Sequence, residues 1–254
     1  GNAQTKKLQW LGFSANFNAD YNDFYEPRSY GRVFHNRGSV GASFWFESNS
    51  AKKLSWTGSL FAGTGGVFKR TSYELNLTGK VRFNSKFSVD YSAYISDIYN
   101  QPGWAARLGD TIIFSRRDVR SIENVLGVKY NFTNKMGLTI RARHYWSRVN
   151  PLQFYQLNND GGLDTPASPF TRNVNQNYNF LSVDMVYNWQ FAQGSFFSIV
   201  WKDIADNFEY GGNFEKKYVR NLGNTIDGHQ FNSLSVRVIY FLDYLTARNK
   251  LKSK

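Results

Sequence analysis

Residues 177–202, NYNFLSVDMVYNWQFAQGSFFSIVWK, decide the fold, because two alternating runs of side chains meet there at a short turn containing Gly194. Apolar residues share one parity on both sides of this turn: Leu181, Val183, Met185, Tyr187 and Trp189 before it, and Phe197, Ile199 and Trp201 after it. Polar residues such as Ser182, Asp184 and Lys202 take the other parity. A two-residue period with one apolar face predicts a half-buried strand, and two such runs across a glycine turn predict an antiparallel hairpin.

The rest of the chain repeats this unit. Further strands are predicted at residues 8–21, 39–47, 54–62, 73–83, 87–96, 138–146 and 234–242, and in a run that starts after Thr111 and ends at Phe132. Each arm is long enough to cross a bilayer when tilted. We therefore expect an all-β chain whose residues 1–254 form one domain, an antiparallel up-and-down transmembrane β-barrel. It would contribute about ten strands, either as a whole barrel or as the C-terminal part of a larger one.

The connections between these strands are predicted to alternate strictly between two kinds. Short polar turns follow Glu47, Phe83, Phe132 and Gln190, and long irregular loops follow Tyr21, Ala62, Ser96, Trp146 and Lys202. The loops include NQPGWAARLGD at residues 100–110 and longer breaks at residues 151–176 and 203–230. In an up-and-down sheet all the short turns lie at one end, which is typical of outer-membrane barrels with short periplasmic turns and long extracellular loops.

A soluble sandwich or lipocalin-like barrel is the alternative, because alternation alone does not say whether the apolar parity points inward or outward. A barrel of about eight strands is just filled by its own side chains. Closing about ten long strands leaves a wider interior, which favours a wet interior and a lipid-facing outside. In lipid every backbone polar group must be paired, so the sheet must close or be completed by further strands.

In each strand, the apolar residue next to a short turn is usually aromatic. These aromatic residues are Phe46, Phe83, Phe87, Phe132, Trp189 and Phe197. Because the short turns lie at one end of the predicted sheet, these rings would share one depth. Such a row is typical of the aromatic girdle that lies at a membrane interface.

Charged residues of both signs occupy the other parity, which would face the lumen. The predicted network consists of Lys80, Arg82, Asp90, Glu123, Lys129, Arg141, Arg143, Asp184 and Arg237. One interpretation is a charged constriction that selects solutes in a pore. The other is a mutually satisfied network of ion pairs that fills the lumen and adds rigidity. Over the whole of this parity, which also carries acids such as Asp20, Glu47 and Glu74, the two signs balance. This favours the second interpretation, because an anion-selective pore would show an excess of positive charge.

Composition limits the classes of protein that fit. Hydrophobic residues make up 41% of the 254 residues, and with a mean hydropathy of −0.50 no run is long and apolar enough for a spanning helix. The chain has no Cys, which removes disulfides, thiolate metal sites and cysteine nucleophiles. GNAQTKK at the start lacks the apolar core of a signal peptide, so a mature form or a segment of a longer protein is expected.

The net charge of +12 indicates an anionic partner. Nucleic acid is disfavoured, because the basic residues are spread through turns and loops and not gathered between exposed rings. Many basic residues lie on the long-loop side: Arg28, Arg32, Arg37, Lys69, Arg70, Arg116, Arg117, Arg120 and Arg148. They either pair with lipopolysaccharide phosphates or form a scattered, solvated surface. The expected partners are therefore the lipid bilayer, lipopolysaccharide and an outer-membrane protein complex.

Candidate chemical sites are weak, and neither catalytic residues, a metal nor a cofactor is expected. The histidines are His35, His144 and His229. His144 falls on the outward parity, where it is interpreted as an interface residue, and Ser147 has the wrong parity to form a Ser–His pair with it. The loop NNDGGLD at residues 158–164 offers oxygen ligands for calcium but lacks the full EF-hand spacing, so a flexible turn is the preferred interpretation.

Three stretches of the chain resemble a known family. They are ENVLGVKYNFTNKMGLTIRARHYWSRVNPLQFYQLNNDGGL, YNFLSVDMVYNWQFAQGSFFSIVWK and VIYFLDYLTARNK. They resemble the C-terminal barrel region of the DUF5916 proteins of Bacteroidota, and TKKLQWLGFSANFNADYNDFYEPRSYGR resembles the same family further upstream. The resemblance implies an outer-membrane location, and a barrel longer than this chain preceded by a sandwich similar to carbohydrate-binding modules of family 9.

The expected function is structural or concerned with transport, and not catalytic. The first hypothesis is a membrane anchor or structural component of an outer-membrane assembly concerned with secretion or uptake. The alternative is a porin-like pore or transporter for small polar solutes or glycans. An outer-membrane enzyme is a distant third hypothesis, so the chain is not expected to be an enzyme.

Overall fold

The computed structural model describes residues 1–166, 168–242 and 244. In this part the chain is built almost entirely of strands. Their bounds, with the one described helix, are β1 (Asn2–Gln4), β2 (Trp10–Asn18), β3 (Tyr21–Asp23), β4 (Phe34–Asn36), β5 (Ser39–Glu47), β6 (Leu54–Gly65), β7 (Arg70–Arg82), β8 (Phe87–Leu108), β9 (Thr111–Thr133), β10 (Met136–Leu157), β11 (Leu163–Asp164), β12 (Gln176–Ala192), β13 (Ser195–Tyr210), α1 (Tyr218–Ile226) and β14 (Phe231–Ile239).

One antiparallel sheet of 12 strands contains all of these strands except the separate hairpin β3–β4. Its order is β1-β2-β5-β6-β7-β8-β9-β10-β12-β13-β14, with β11 paired to β10. Each long strand therefore lies beside its neighbour in the sequence, which confirms the predicted all-β, antiparallel, up-and-down arrangement. The path is open: the pairings of the described residues leave β1 and β14 at opposite edges.

The register places the two parities on two continuous faces, because directly opposed residues in an antiparallel pair share a face. Phe87 lies opposite Tyr130, which lies opposite Leu138 on the next strand. Lys80 lies opposite Asp90 on the other side of the sheet. We call the first side the apolar face and the second the polar face.

Large side chains on the apolar face are exposed to a degree that is unusual for a folded chain in water. Leu77 is 42% exposed, Leu126 43% and Val236 59%. Buried apolar residues instead form two small clusters near the far end of β8–β10, one around Phe34 and Phe114 and the other of Ala105, Ile113 and Val174. Ile122, Trp146 and Ala205 are also buried on the apolar face, but the described residues form no larger core there.

The strands β8 and β9 run much further than predicted, so the long loop expected at residues 100–110 is wrong. The turn is only Gly109-Asp110, and Gly109 has the positive φ of 57° that such a turn requires. Pro102 and Gly103 looked like turn residues, but they lie inside β8 between register shifts after Ile98 and Trp104. A β-bulge accommodates residues that a regular ladder excludes.

The breaks expected at residues 151–176 and 203–230 are also shorter than predicted. β10 continues to Leu157 through a register shift at Pro151, and β13 continues to Tyr210. The helix α1 lies in the remaining segment and was not predicted. The connection between β6 and β7, residues 66–69, is short as well, so the strict alternation of short and long connections is wrong. No helix in the described part of the chain has the length and apolar character needed to span a bilayer.

Candidate functional site

A row of aromatic rings crosses the apolar face near the short turns. The ring centroids of Phe83 and Phe87 are 4.9 Å apart, and those of Phe87 and Tyr130 are 6.0 Å apart. Further contacts join Tyr130 to Phe132 at 4.8 Å, Phe132 to Tyr187 at 6.4 Å and Tyr187 to Phe197 at 6.5 Å. Four of the rings expected in the girdle thus lie in one chain of contacts from β7 to β13, linked by two tyrosines.

The two remaining girdle residues have other neighbours. Phe46 packs edge-on against Trp56, with centroids 4.1 Å apart. Trp189 contacts Phe191 at 5.7 Å and lies opposite Phe197 in the register of β12 and β13. All six expected rings therefore share the apolar face. Their position at a membrane interface stays a prediction.

Charged residues on the polar face lie at one level of the register. Lys80, Asp90, Gly127, Arg141, Asp184 and Lys202 oppose one another in turn across β7, β8, β9, β10, β12 and β13. The glycine creates space for the neighbouring acid, because a Cβ at Gly127 would come within 2.4 Å of the Asp90 carboxylate. Opposite charges in adjacent strands favour the pairing of those strands. The side-chain charges at this level therefore alternate between positive and negative from strand to strand, except at the glycine.

Two ion pairs are formed on the polar face. Arg143 donates to Glu123 at 2.9 Å, and the ammonium of Lys202 lies 3.7 Å from the Asp184 carboxylate. These side chains are only partly buried, so each pair contributes about 0–1 kcal/mol. Of the network predicted from sequence, Glu123, Arg143 and Asp184 are ion-paired. The side chains of Lys80, Arg82, Asp90, Lys129, Arg141 and Arg237 share the face without an ion pair in the described part of the chain.

A cavity of about 610 Å³ lies on the polar face beside the short turns. Three lysines line it, Lys86, Lys129 and Lys135, together with amides that include Asn131 and Asn188. No acid lines the cavity in the described part of the chain. This end of the polar face is therefore cationic, in contrast to the balanced level around Asp184.

The helix α1 packs on the apolar face, on the side of the sheet away from the short turns. Asn221 is its anchor and is 2% exposed. Its side-chain oxygen accepts from the amides of Asn177 at 3.0 Å and Asn179 at 3.1 Å, and its own amide donates to the carbonyls of Glu215 and Lys217. Every polar group of the Asn221 side chain is thus satisfied in a buried site, which fixes the helix to β12.

Tyr218 extends this anchor to β9 and β10. Its hydroxyl accepts from the Asn124 amide at 2.7 Å and lies 2.9 Å from Nδ1 of His144. Trp146, beside His144 on the apolar face, is 1% exposed and donates to Asn177. His144 is itself 4% exposed and lies beneath Tyr218. Its interpretation as an interface residue stays a prediction. Burial raises the pKa of the Tyr218 phenol, so its hydroxyl keeps the proton.

The segment between β2 and β5 reaches across to the far end of β8 and β9 and is held there by charged groups. Glu26 accepts from the backbone N–H of Trp104 at 2.7 Å and lies 3.6 Å from the Arg117 guanidinium. Arg28 stacks over the Trp104 ring at 4.5 Å. Burial lowers the pKa of Arg117, and Glu26 opposes that shift. Arg117 is therefore half-buried in a contact that holds the fold together, whereas Arg28 stacks on Trp104 but stays exposed.

The other chemical candidates are not brought together. His35 contacts Asn22 and His229 contacts Phe231, each far along the chain from His144. Ser147 bonds Ser121 at 3.0 Å on the polar face, opposite to His144. No group of three His, Asp or Glu side chains in the described part could hold a metal ion. In the loop at residues 158–164, Asp160 and Asp164 accept hydrogen bonds from within the loop, as in an ordinary turn.

The fold and its two faces define an antiparallel all-β chain with an exposed apolar side and a charged side. Residues 1–251 match the family model described as domain of unknown function DUF5916, so the chain belongs to this family. This confirms the resemblance seen in the sequence. None of the curated proteins compared with the chain matches it.

Sequence reasoning missed α1 and the residues that anchor it. Tyr218, Asn221 and Thr225 recur at intervals of three and four residues, the spacing of one helical face. These residues are polar, whereas the usual search is for a buried apolar face. An inverted pattern of this kind could have indicated a helix whose buried side is hydrogen-bonded to the sheet.

Proposed function

We propose that the chain forms the wall of an integral outer-membrane β-barrel, as expected from the Bacteroidota proteins that it resembles, and that it acts as a membrane anchor or structural component of an outer-membrane assembly. The observation that carries the proposal is the apolar face. Its exposed side chains, such as Leu77, Leu126 and Val236, form rows that continue across neighbouring strands. An exposed apolar patch that continues across several strands marks contact with a membrane or a partner.

Hydrocarbon is the environment that suits both the side chains and the backbone of this sheet. The aromatic row from Phe83 to Phe197 lies at the end of the face, where amphipathic rings meet a membrane interface. The backbone of a strand inside a bilayer must be fully paired. β14 has all nine residues exposed and, among the residues that the structure describes, one strand neighbour. We therefore propose that further strands pair with β14 and with the β1–β2 edge to close the barrel.

Ion pairing on the polar face supports an anchor over an open pore. Glu123–Arg143 and Asp184–Lys202 join adjacent strands and hold the wall together, and each pair is neutral in itself. A second candidate, a pore for small polar solutes, is favoured by one observation, the lysine-lined cavity that includes Lys129. Conductance across a planar bilayer separates the two: a silent barrel supports the anchor, and stable open-channel currents with anion preference support the pore.

The absence of Cys gives a direct test of which face meets lipid. Single variants Leu75→Cys and Val183→Cys place a fluorescent label on the apolar face, and Asn76→Cys and Asp184→Cys place it one residue away on the polar face. In vesicles, the first two labels should be quenched by brominated lipids and the second two by aqueous iodide. Equal quenching at both parities would refute the proposal, and so would a purified chain that stays folded and monomeric in buffer without detergent.

A further inference from the structure

The helix α1 is amphipathic in the sense opposite to that of a helix on a water-soluble protein. Tyr218, Asn221 and Thr225 face the sheet, and Asn221 and Thr225 are buried. Val219 is 75% exposed and Ile226 is 52% exposed. A surface helix in water normally buries its apolar stripe and exposes its polar residues. We call the row formed by the exposed Val219 and Ile226 and the half-buried Leu222 the α1 stripe.

A small cationic cavity lies at the start of this helix. It measures about 120 Å³ and is lined by Arg148 and Lys216, by the amides of Asn150, Asn175 and Asn213, and by the ring of Phe214. In the described part of the chain neither cationic side chain forms an ion pair or a side-chain hydrogen bond. Two cations and three amides around one cavity provide the donors that an oxyanion requires.

Acids close to this cavity in the sequence or in the sheet register are already engaged. Asp118, opposite Asn150, accepts from the backbone N–H of Asn100 at 3.0 Å. Glu215 accepts from the backbone N–H groups of Lys216 and Lys217 and pairs with Arg220 at 3.3 Å, and these contacts lower the pKa of its carboxyl. Glu209 accepts from the buried amide of Asn177 at 2.6 Å. The positive charge of the cavity is therefore left for an external anion.

We propose that the cavity and the α1 stripe together bind a phosphorylated membrane lipid, with a headgroup phosphate in the cavity and acyl chains against the stripe. This inference rests on the proposed membrane function. The position of α1 favours a lipid over a protein partner. The helix packs on the apolar face against His144, which lies level with Leu77, and Arg148 lies four residues further from the ring row on the same strand. The stripe thus continues the apolar surface, and the basic residues lie where headgroups would begin.

The test uses the full-length chain folded in detergent micelles and titrated with bisphosphorylated lipid A, dephosphorylated lipid A or inorganic phosphate, with bound lipid counted by native mass spectrometry. The double variant R148Q/K216Q removes the two cavity cations. The matched control K52Q/K53Q removes two cations from a short turn at the other end of the sheet. We expect the cavity variant to bind bisphosphorylated lipid A roughly tenfold or more weakly, and the control to bind like the wild type.

A second pair of variants tests the stripe. V219S/I226S should weaken binding of lipid A in both its phosphorylated and dephosphorylated forms, whereas Asn224→Ser, on an exposed side of the same helix, should not. Equal binding by the cavity variant and its control would overturn the proposal. So would inorganic phosphate that displaces lipid A completely at equal concentration, because the cavity would then be a site for the free anion.

Insertion of the barrel is measured separately in the same samples, by lipid quenching of a label at Leu75→Cys. A wild-type chain that fails this measurement refutes the membrane function itself. A chain that inserts, but whose cavity variant still binds lipid A at wild-type strength, refutes only the lipid site.

Discussion

Leu77→Arg is the substitution that most directly measures the environment of the apolar face. Leu77 lies six residues before Phe83, the ring at the short-turn end of β7. At about 3.3 Å per residue and a tilt of about 40°, this places Leu77 about 15 Å above the ring row, close to the middle of an apolar band about 25 Å tall. An arginine at that depth on the lipid side destabilises a barrel by about 2–4 kcal/mol.

Two control variants turn this number into a depth profile. Val81→Arg lies on the same face but only two residues from Phe83, about 5 Å above the ring row, where the cost falls to about 0–1 kcal/mol. Asn76→Arg lies on the polar face beside Leu77 and should change stability by no more than about 0.5 kcal/mol. The measurement is reversible unfolding in guanidinium with vesicles present, with the slope checked to be unchanged.

If the apolar face met water instead of lipid, the same three variants would give a different result. Leu77 is 42% exposed, and a substitution at an exposed position in water changes stability by about 0.5 kcal/mol or less. Costs below about 0.5 kcal/mol for both Leu77→Arg and Val81→Arg would refute a lipid-facing surface. A cost that is largest at Leu77 and small at the other two positions is the expected result.

Further predictions concern the groups that fix the segments beyond the sheet. Asn221→Ala leaves buried amides without their acceptor and should destabilise α1 by about 1–3 kcal/mol, measured as faster amide exchange across the helix; unchanged exchange would contradict its role as anchor. Glu26→Gln removes the charged partner of the partly buried Arg117 and should increase proteolysis between β2 and β5, while cleavage at the wild-type rate would show that the pair does not hold that segment. A double-mutant cycle on Glu123 and Arg143 should give a coupling below about 1 kcal/mol, and a larger value would mean that the pair is shielded from water.

Most of the sheet follows from a period of two in the sequence, because the strands alternate regularly except at the register shifts in β8, β10 and β12. Residues 39–47 were predicted as a strand, and β5 covers Ser39–Glu47. Pairing of neighbours in an up-and-down order followed from the short turns, such as the one between β7 and β8. The family was also identified from the sequence alone.

The errors occur where tertiary contacts override local signals. Pro102 and Gly103 usually end a strand, but β8 continues through them because bulges and contacts to β9 accommodate both residues. The helix α1 was missed because its buried side chains are polar and find their partners on β12, far away in the sequence. Parity placed His144 on the correct face, but parity carries no information about what covers that face.

The hairpin of β8 and β9 is longer than the strands of a barrel that only spans the bilayer. Its strands have 22 and 23 residues, so the ribbon is about 70 Å long and rises about 55 Å when tilted. In the proposed orientation, roughly half of that height stands clear of the hydrocarbon. Antibodies, phages or soluble macromolecules approaching the cell would then encounter Gly109 and Asp110 well before they reached the lipid surface.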